Sequence, residues 1–148
     1  MSVAKRFKTT GIAVGVGLFL LAMFTACDDD TGSGSTSDVS RCRSASAAAA
    51  RIAEGLTVDG GGSLRYAQAV RSSEFDSVWF VAAEIDGAGI EADGDVGVWA
   101  TNDLSDGLIF SVNALAREFS DWGDGGRTDA AFSMANDGAE EARDCVGG

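Results

Sequence analysis

The feature that most limits what this chain can fold into is an uncharged apolar run near its start. No residue from Thr9 to Ala26 is charged, and the run comes after a basic start that contains Lys5, Arg6 and Lys8. Its length is close to the roughly 20 residues that an apolar helix needs to cross a bilayer. A basic start, an apolar stretch and then small residues are also typical of an export signal. The fold must be sought in the residues after this run, which have room for one domain.

The end of this run resembles the lipobox of bacterial lipoproteins. Phe24, Thr25, Ala26 and Cys27 are an apolar residue, two small residues and a cysteine, although the family usually has leucine where Phe24 stands. The resemblance implies that a dedicated peptidase recognises Phe24, Thr25 and Ala26 and cuts before Cys27. It also implies that the Cys27 thiol carries a diacylglycerol and that the new amino terminus is often acylated, for example with palmitate.

This resemblance predicts a stable membrane anchor, because each buried methylene of an acyl chain contributes about 0.8 kcal/mol. We therefore expect residues 1–26 to be a cleaved signal peptide and the protein to be held by lipid at the extracytoplasmic face of the cell membrane. The alternative is an uncleaved membrane helix, or an ordinary signal peptide in which Cys27 is incidental.

Residues 27–39 are predicted to be a lipid-anchored, flexible, acidic tether. The stretch from Asp28 to Asp38 contains only Gly, Ser, Thr and Asp, which cannot bury enough apolar surface to become ordered. A Gly-rich chain of about 10 residues has a root-mean-square reach of roughly 16 to 19 Å. Residues 40–148 would then form a single exported domain close to the bilayer.

The charge balance excludes one class of partner. The chain has 23 acidic and 11 basic residues and a net charge of −12, and its first 26 residues contain no acid. Nucleic-acid binding needs clustered Lys and Arg to displace counterions, so we expect no nucleic-acid partner. The same balance disfavours direct adsorption of the domain to anionic lipid. We expect the acidic surface mainly to keep the domain soluble.

With Cys27 assigned to lipid by the resemblance, two cysteines remain for the domain. An even pair in an exported protein favours a disulfide between Cys42 and Cys145. Such a bond would close a loop of about 100 residues and contribute roughly 4 to 5 kcal/mol in the entropic description. It also requires the two ends of the domain to be neighbours. The alternative is two separate thiols.

A helix is predicted at the start of the domain, in "SRCRSASAAAARIAEGL". Ser40 gives a start signal and Gly55 a stop. The apolar residues that recur at helical spacing are Ala45, Ala48, Ile52 and Leu56.

A second helix is predicted at the other end, in "NDGAEEARDCV", with Asp137 and Glu140 as a capping box. Its apolar face would contain Ala139, Ala142, Cys145 and Val146. The disulfide would then join two amphipathic helices that pack closely through alanine.

Strand patterns occupy the middle of the domain. "SLRYAQAVRS" alternates, which predicts a half-buried strand with Leu64, Tyr66, Gln68 and Val70 on one side. "SVWFVAAEI" is almost continuously apolar and predicts a central strand covered on both faces. "DVGVWAT" alternates again, and "GLIFS" is short enough for an edge strand or a lead into the next helix, "SVNALAREFSDW".

The order of these patterns predicts an α+β fold. We expect a two-layer sandwich, in which a mainly antiparallel sheet of three or four strands is covered on one face by the N- and C-terminal helices. Trp79, Trp99 and the phenylalanines are expected to fill its core.

The composition argues against most enzyme mechanisms. The chain has no histidine, the commonest general base, and both of its lysines lie in the first 26 residues. No catalytic motif is present, so we expect a noncatalytic domain without a cofactor that binds an envelope protein or a small ligand. A small hydrolase that uses a pair of carboxylates is the alternative.

A calcium-stabilised module is a further alternative. The acidic loop "EIDGAGIEADGD" contains Glu91, Asp93 and Asp95, and calcium prefers several oxygen ligands. The spacing departs from the EF-hand, because Val96 and Asn102 stand where glycine and glutamate are needed. A second acidic loop, "DWGDGGRTD", is equally unspecific. Solvated turn aspartates explain both loops more simply, so no metal site is assigned.

Overall fold

The computed structural model describes residues 41–87, 89–90 and 95–147. Six strands and three helices are present in this part of the chain. The strands are β1 (Arg43–Ser44), β2 (Gly62–Arg71), β3 (Trp79–Gly87), β4 (Val96–Thr101), β5 (Ile109–Ser111) and β6 (Gly123–Asp124). The helices are α1 (Ser46–Ala53), α2 (Ala114–Phe119) and α3 (Ala139–Asp144), with a 3-10 turn at Gly125–Arg127.

All six strands belong to one sheet, in which they lie side by side in sequence order. The pairings from β1 to β5 are antiparallel, and only β5 and β6 run parallel, across the connection that contains α2. The predicted α+β class and mainly antiparallel sheet are therefore confirmed. The predicted strand number was too low, because the two-residue strands β1 and β6 are too short to leave a pattern and "GLIFS" lies inside the sheet.

The sheet is covered on both faces, so the predicted helices on a single face were wrong. Side chains of β3 alternate between two separate cores, as expected for its continuous apolar sequence. We call the face that α1 and α2 cover the first face, and the face that α3 covers the second face. The first core contains Ala48 and Ile52 of α1 with Ala116 of α2, and the second contains Ala139 and Ala142 of α3.

The first core is built around Trp99, which is fully buried. Its indole N–H donates a hydrogen bond to Ser120 Oγ at 3.2 Å, so its polar atom is satisfied. The ring folds back over Gly97, where an added Cβ would lie 2.2 Å from the ring edge. Glycine at position 97 is therefore required by packing. The predicted core position of Trp99 is confirmed, while Trp79 is only partly buried against this core.

The second core contains an aromatic cluster around Phe132. The ring of Phe132 meets those of Phe75, Phe80 and Phe110 at centroid distances of 5.3, 6.3 and 6.1 Å. Two of these contacts are edge-to-face, an arrangement that aromatic rings prefer. Phe132 lies outside every described strand and helix. The aromatic cluster packs the loop that contains Phe132 against the sheet.

The alternation predicted for β2 is broken by a bulge. The register with β3 shifts between Arg65 and Gln68, and Tyr66 has a φ of 54°. One extra residue reverses the face that later side chains occupy, so Leu64 and Ala67 pack on the same core while Val70 belongs to the other. Tyr66, predicted to point inward with Leu64, is 63% exposed.

The helix ends also differ from the prediction. Helix α1 begins at Ser46 and not at Ser40, because the preceding residues form β1. Its other end is closed by Trp122, whose indole N–H donates to the Ile52 carbonyl at 2.9 Å while the ring covers Gly55. Helix α2 is shorter than its pattern, and Val112, which precedes the helix, belongs to the second core.

The described residues contain no helix long and apolar enough to cross a membrane. The apolar run from Thr9 to Ala26 lies outside these residues.

Candidate functional site

An open groove of about 550 Å³ lies between α1 and the first part of β2. We call it the α1–β2 groove. Helix α1 contributes Ser46, Ala49, Ala50 and Ala53, and Ser44 precedes the helix. Residues 62–64 and 66–68 of β2 form the opposite wall. Small alanine side chains on the helix leave the space that a bulkier face would fill.

Tyr66 is the aromatic side chain that lines the groove, and it lies at the β2 bulge. Its φ of 54° lies in the left-handed region, which costs a non-glycine residue about 1 to 2 kcal/mol. The guanidinium of Arg65 lies over the Tyr66 ring, 5.8 Å from its centroid. Strain of this kind persists only when the surroundings impose it, and it is often found at functional positions.

The groove is electrically neutral although the protein is strongly acidic. None of its lining residues is charged. One neighbouring charge is paired, because Arg65 lies 3.7 Å from both Glu84 and Asp86 on the adjacent strand. Hydroxyl and amide groups of Ser44, Ser46, Ser63 and Gln68 supply hydrogen bonds. A ligand that matches this lining has an uncharged surface and a flat face that can stack on the Tyr66 ring.

The backbone edge of β2 is also open along the groove. Strand β1 pairs only with Gln68 and Ala69, and the Ala45 N–H donates to the Ala67 carbonyl at 3.1 Å. In the described part of the chain no strand pairs with this side of residues 62–66. Unpaired edge groups can hydrogen-bond to an extended ligand.

A second polar site lies where the two ends of the domain meet. Cys42 and Cys145 form a disulfide with their Cα atoms 5.9 Å apart, which confirms the predicted pair. The prediction that this bond joins two packed helices was wrong, because α1 and α3 cover opposite faces of the sheet. It instead ties the segment before β1 to the end of α3.

Arg41 reinforces this junction. Its guanidinium donates two hydrogen bonds to the Asp137 carboxylate, at 3.0 and 3.1 Å, and also binds Glu141. The same Asp137 carboxylate accepts hydrogen bonds from the N–H and the hydroxyl of Ser73, both at 2.8 Å. We call Arg41, Ser73, Asp137 and Glu141 the Arg41 network.

The predicted capping box at α3 was therefore wrong. Helix α3 is preceded by Gly138, whose φ of 91° is left-handed, and no side chain caps the helix. Asp137 turns instead toward Arg41 and Ser73. Hydrogen bonds from Arg41 and then from Ser73 hold the pKa of Asp137 well below its ordinary value, and Asp137 in turn raises the pKa of Arg41.

Several sequence-predicted site residues lie outside the described residues. These are the lipobox residues Phe24, Thr25, Ala26 and Cys27 and the acidic loop residues Glu91 and Asp93. Asp95 is described and lies just before β4. Within residues 41–87, 89–90 and 95–147, no group of three or more potential ligands is close enough to hold a metal ion.

The described carboxylates offer little to the hydrolase alternative. A general acid needs a raised pKa. Asp103 and Asp137 are the described carboxyl groups with a clear shift, and the pKa of each is lowered. Backbone N–H groups of Ser105 and Asp106 lower that of Asp103. In the second acidic loop, Asp124 accepts a hydrogen bond from Gly126 N–H at 3.0 Å, as a turn aspartate does.

The α1–β2 groove is not predictable from the sequence pattern because it arises from the bulge. The alternation around Tyr66 is regular in the sequence, and no local signal marks a left-handed tyrosine. The alanine-rich side of α1 predicts close contact with another helix, but in the structure part of it borders open space.

Comparison with family models, with curated proteins and with solved structures found no match for this chain.

Proposed function

We propose that this protein is a lipid-anchored, extracytoplasmic protein of the cell envelope whose noncatalytic domain binds a partner at the α1–β2 groove. The anchor would be Cys27, after removal of residues 1–26. The ligand would be an envelope protein or a small molecule that presents an uncharged surface to the groove.

The single observation that carries the binding role is the neutral groove around Tyr66. The chain has a net charge of −12, yet this open concavity of about 550 Å³ is lined by no charged side chain. Tyr66 lies at its rim at the cost of a strained backbone. An amphipathic tyrosine ring gives contact area together with a hydrogen-bonding hydroxyl, which favours recognition.

The support for export is twofold. The "FTAC" sequence at Phe24–Cys27 has the lipobox pattern. The domain also has a disulfide, a bond that forms and persists in oxidising compartments outside the cytoplasm.

The anchor is tested by intact-mass analysis of the protein from native membranes. We expect a chain that begins at Cys27 and carries the mass of a diacylglycerol with or without one further acyl chain. Cys27→Ser should block this processing. A species that retains Met1 and carries no lipid would contradict the anchor.

The groove is tested by site-specific photo-crosslinking in native membranes. Ala50 and Ala47 are both exposed on α1, but only Ala50 lines the groove. A photoreactive amino acid at position 50 should give a discrete crosslinked product, which gel shift and mass spectrometry would detect, and position 47 should not.

Tyr66→Ala should reduce the product formed from position 50 by removing the contact at the rim. Equal products from positions 47 and 50, or no product from position 50, would contradict binding at this groove.

A further inference from the structure

The far end of β2 presents a feature unlike the groove. The guanidinium groups of Arg43 and Arg71 lie 5.7 and 5.9 Å from the centroid of the Trp79 ring system. Trp79 pairs with Arg71 across β2 and β3, and Arg43 pairs with Ala69 in the adjacent row. Two cations therefore meet one tryptophan on the first face. We call these three residues the Arg–Trp patch.

These arginines differ from five of the other six arginines of the domain; Arg127 also forms no ion pair among the described residues. Arg41, Arg51, Arg65, Arg117 and Arg143 each form an ion pair with a carboxylate. In the described part of the chain, Arg43 and Arg71 form none and contact Trp79 instead. Both are exposed. Among the described residues their charge is not balanced by a carboxylate, whereas every other described arginine except Arg127 is ion-paired.

An exposed leucine lies at the same end of the sheet. Arg71, Trp79, Thr101 and Ile109 form one row across β2 to β5, and Leu108 directly precedes Ile109. Leu108 is 69% exposed. Among the described residues, Leu108 and Tyr66 are the large hydrophobic residues that are exposed to solvent. Leu108 lines a cavity with Val78, Phe110 and Phe132 of the second core, so it projects from the face opposite the Arg–Trp patch and shares the end of the sheet with it. Apolar, aromatic and cationic side chains at one end form the combination found at membrane interfaces.

The chain enters the domain at this end. The first described residue is Arg41, whose guanidinium donates to the Arg71 carbonyl at 3.4 Å. We call this part of the domain the entry end. Between Cys27 and Arg41 lie residues 28–40, and a Gly-rich segment of that length has a root-mean-square reach of roughly 20 Å. A lipid at Cys27 would therefore hold the entry end nearer the bilayer than the opposite end.

We propose that the entry end docks on anionic phospholipid head groups through the Arg–Trp patch, with Leu108 inserted at the interface. This inference rests on the proposed anchor at Cys27, which supplies the high local concentration that a weak surface contact needs. The α1–β2 groove adjoins the patch at Ser44 and Gln68 and extends from there along the earlier part of β2.

The overall acidic charge does not prevent this contact. Near the entry end, Asp106 is paired to Arg51, and Asp137 and Glu141 are paired to Arg41. Glu74 and Asp103 are exposed there and accept hydrogen bonds without pairing to an arginine, so they oppose the attraction. Asp76, in the loop between β2 and β3, is exposed and opposes the attraction. Screening limits such repulsion to about 8 to 10 Å at physiological salt, so the nearest charges decide the contact.

The proposal is tested with the full, lipidated chain reconstituted into vesicles that contain brominated lipids. Vesicles of phosphatidylcholine alone are compared with vesicles that also contain phosphatidylglycerol. Bromine quenches nearby tryptophan, and Trp79→Phe identifies the share of the emission that comes from Trp79. Trp99 is fully buried. We expect quenching of Trp79 to be stronger with phosphatidylglycerol and to weaken with added salt.

The variants test the patch itself. Each of Arg43→Gln and Arg71→Gln should lower the ratio of docked to undocked protein by about fivefold, and the double variant by about 30-fold. Leu108→Ser should reduce quenching in the same vesicles. Asp76→Asn should increase it. Arg127→Gln, at an exposed arginine outside the patch, serves as the matched control and should leave quenching unchanged.

Two failures are distinguishable. If Cys27 carries lipid by intact mass but quenching is the same in both vesicles, or is unchanged in the double arginine variant, docking is overturned and the anchor stands. If the reconstituted chain retains Met1 and carries no lipid, the anchor is overturned, and the docking proposal falls with it.

Discussion

At the entry end a disulfide and the Arg41 network connect the first described residues to α3, whereas around Tyr66 β2 has a bulge, a strained residue and an open edge. The entry end is cross-linked and has charged side chains. The groove around Tyr66 is lined by uncharged residues, and no strand pairs with this edge of β2 among the described residues. The cross-links lie beyond the last residue of β2, where the segment before β1 meets the end of α3, whereas the groove of the proposed function lies along the earlier part of β2.

The largest expected effect tests the cross-linked region. We expect Cys42→Ala/Cys145→Ala to lower the free energy of unfolding by about 4 to 5 kcal/mol, because the unfolded chain regains the freedom of a loop whose ends are 103 positions apart. Urea denaturation with and without reductant measures it. Reductant should destabilise the wild type by a similar amount and leave the double variant unchanged. A wild type insensitive to full reduction would contradict this role.

A smaller effect tests the strain at Tyr66. We expect Tyr66→Gly to be more stable than Tyr66→Ala by about 1 kcal/mol, because glycine adopts a positive φ without steric cost. Both variants lose the same side chain, so their difference isolates the backbone.

Ser63 provides the matched control for Tyr66. It is exposed on the same strand and lacks a positive φ. Ser63→Gly should therefore be less stable than Ser63→Ala in the same thermal or urea measurement. The same sign at both positions would contradict the strain at Tyr66.

The smallest effect concerns the pH dependence of the Arg41 network. The folded-state pKa of Asp137 lies below its ordinary value of 3.8, so its contribution is complete above that value and is lost as the pH falls through the folded pKa. The groups are exposed, so we expect Asp137→Asn to cost less than about 1 kcal/mol at neutral pH. Urea denaturation across pH should show the gap to wild type closing in acid. Asp129→Asn is the control, and a gap that widened below pH about 4 would contradict the assignment.

The parts of the fold that were predictable depend on local patterns. The continuous apolar sequence of β3 predicted a central strand, and the cysteine pair predicted that the domain ends meet. Asp137 shows the limit of such patterns. Its position three residues before Glu140 matches a capping box, yet a long-range contact with Arg41 gives it a different partner.

The candidate site was less predictable than the fold. The alternating sequence pattern places Tyr66 on the wrong side of β2. The pattern does not show where the bulge inserts an extra residue into the pairing of β2 with β3. The groups of the Arg–Trp patch come from β1, β2 and β3, so only pairing between strands brings Arg43 and Arg71 to Trp79. No spacing along the sequence connects them.

By itself, the sequence determined the α+β class, the central strand and the disulfide, because periodicity and cysteine number act through neighbouring residues or through simple counting. Tertiary structure alone decided that α1 and α3 cover opposite faces, that Tyr66 is exposed and that Arg43 and Arg71 meet at Trp79. These outcomes depend on strand register and on how the chain crosses the sheet, and both are set by contacts between residues far apart in sequence.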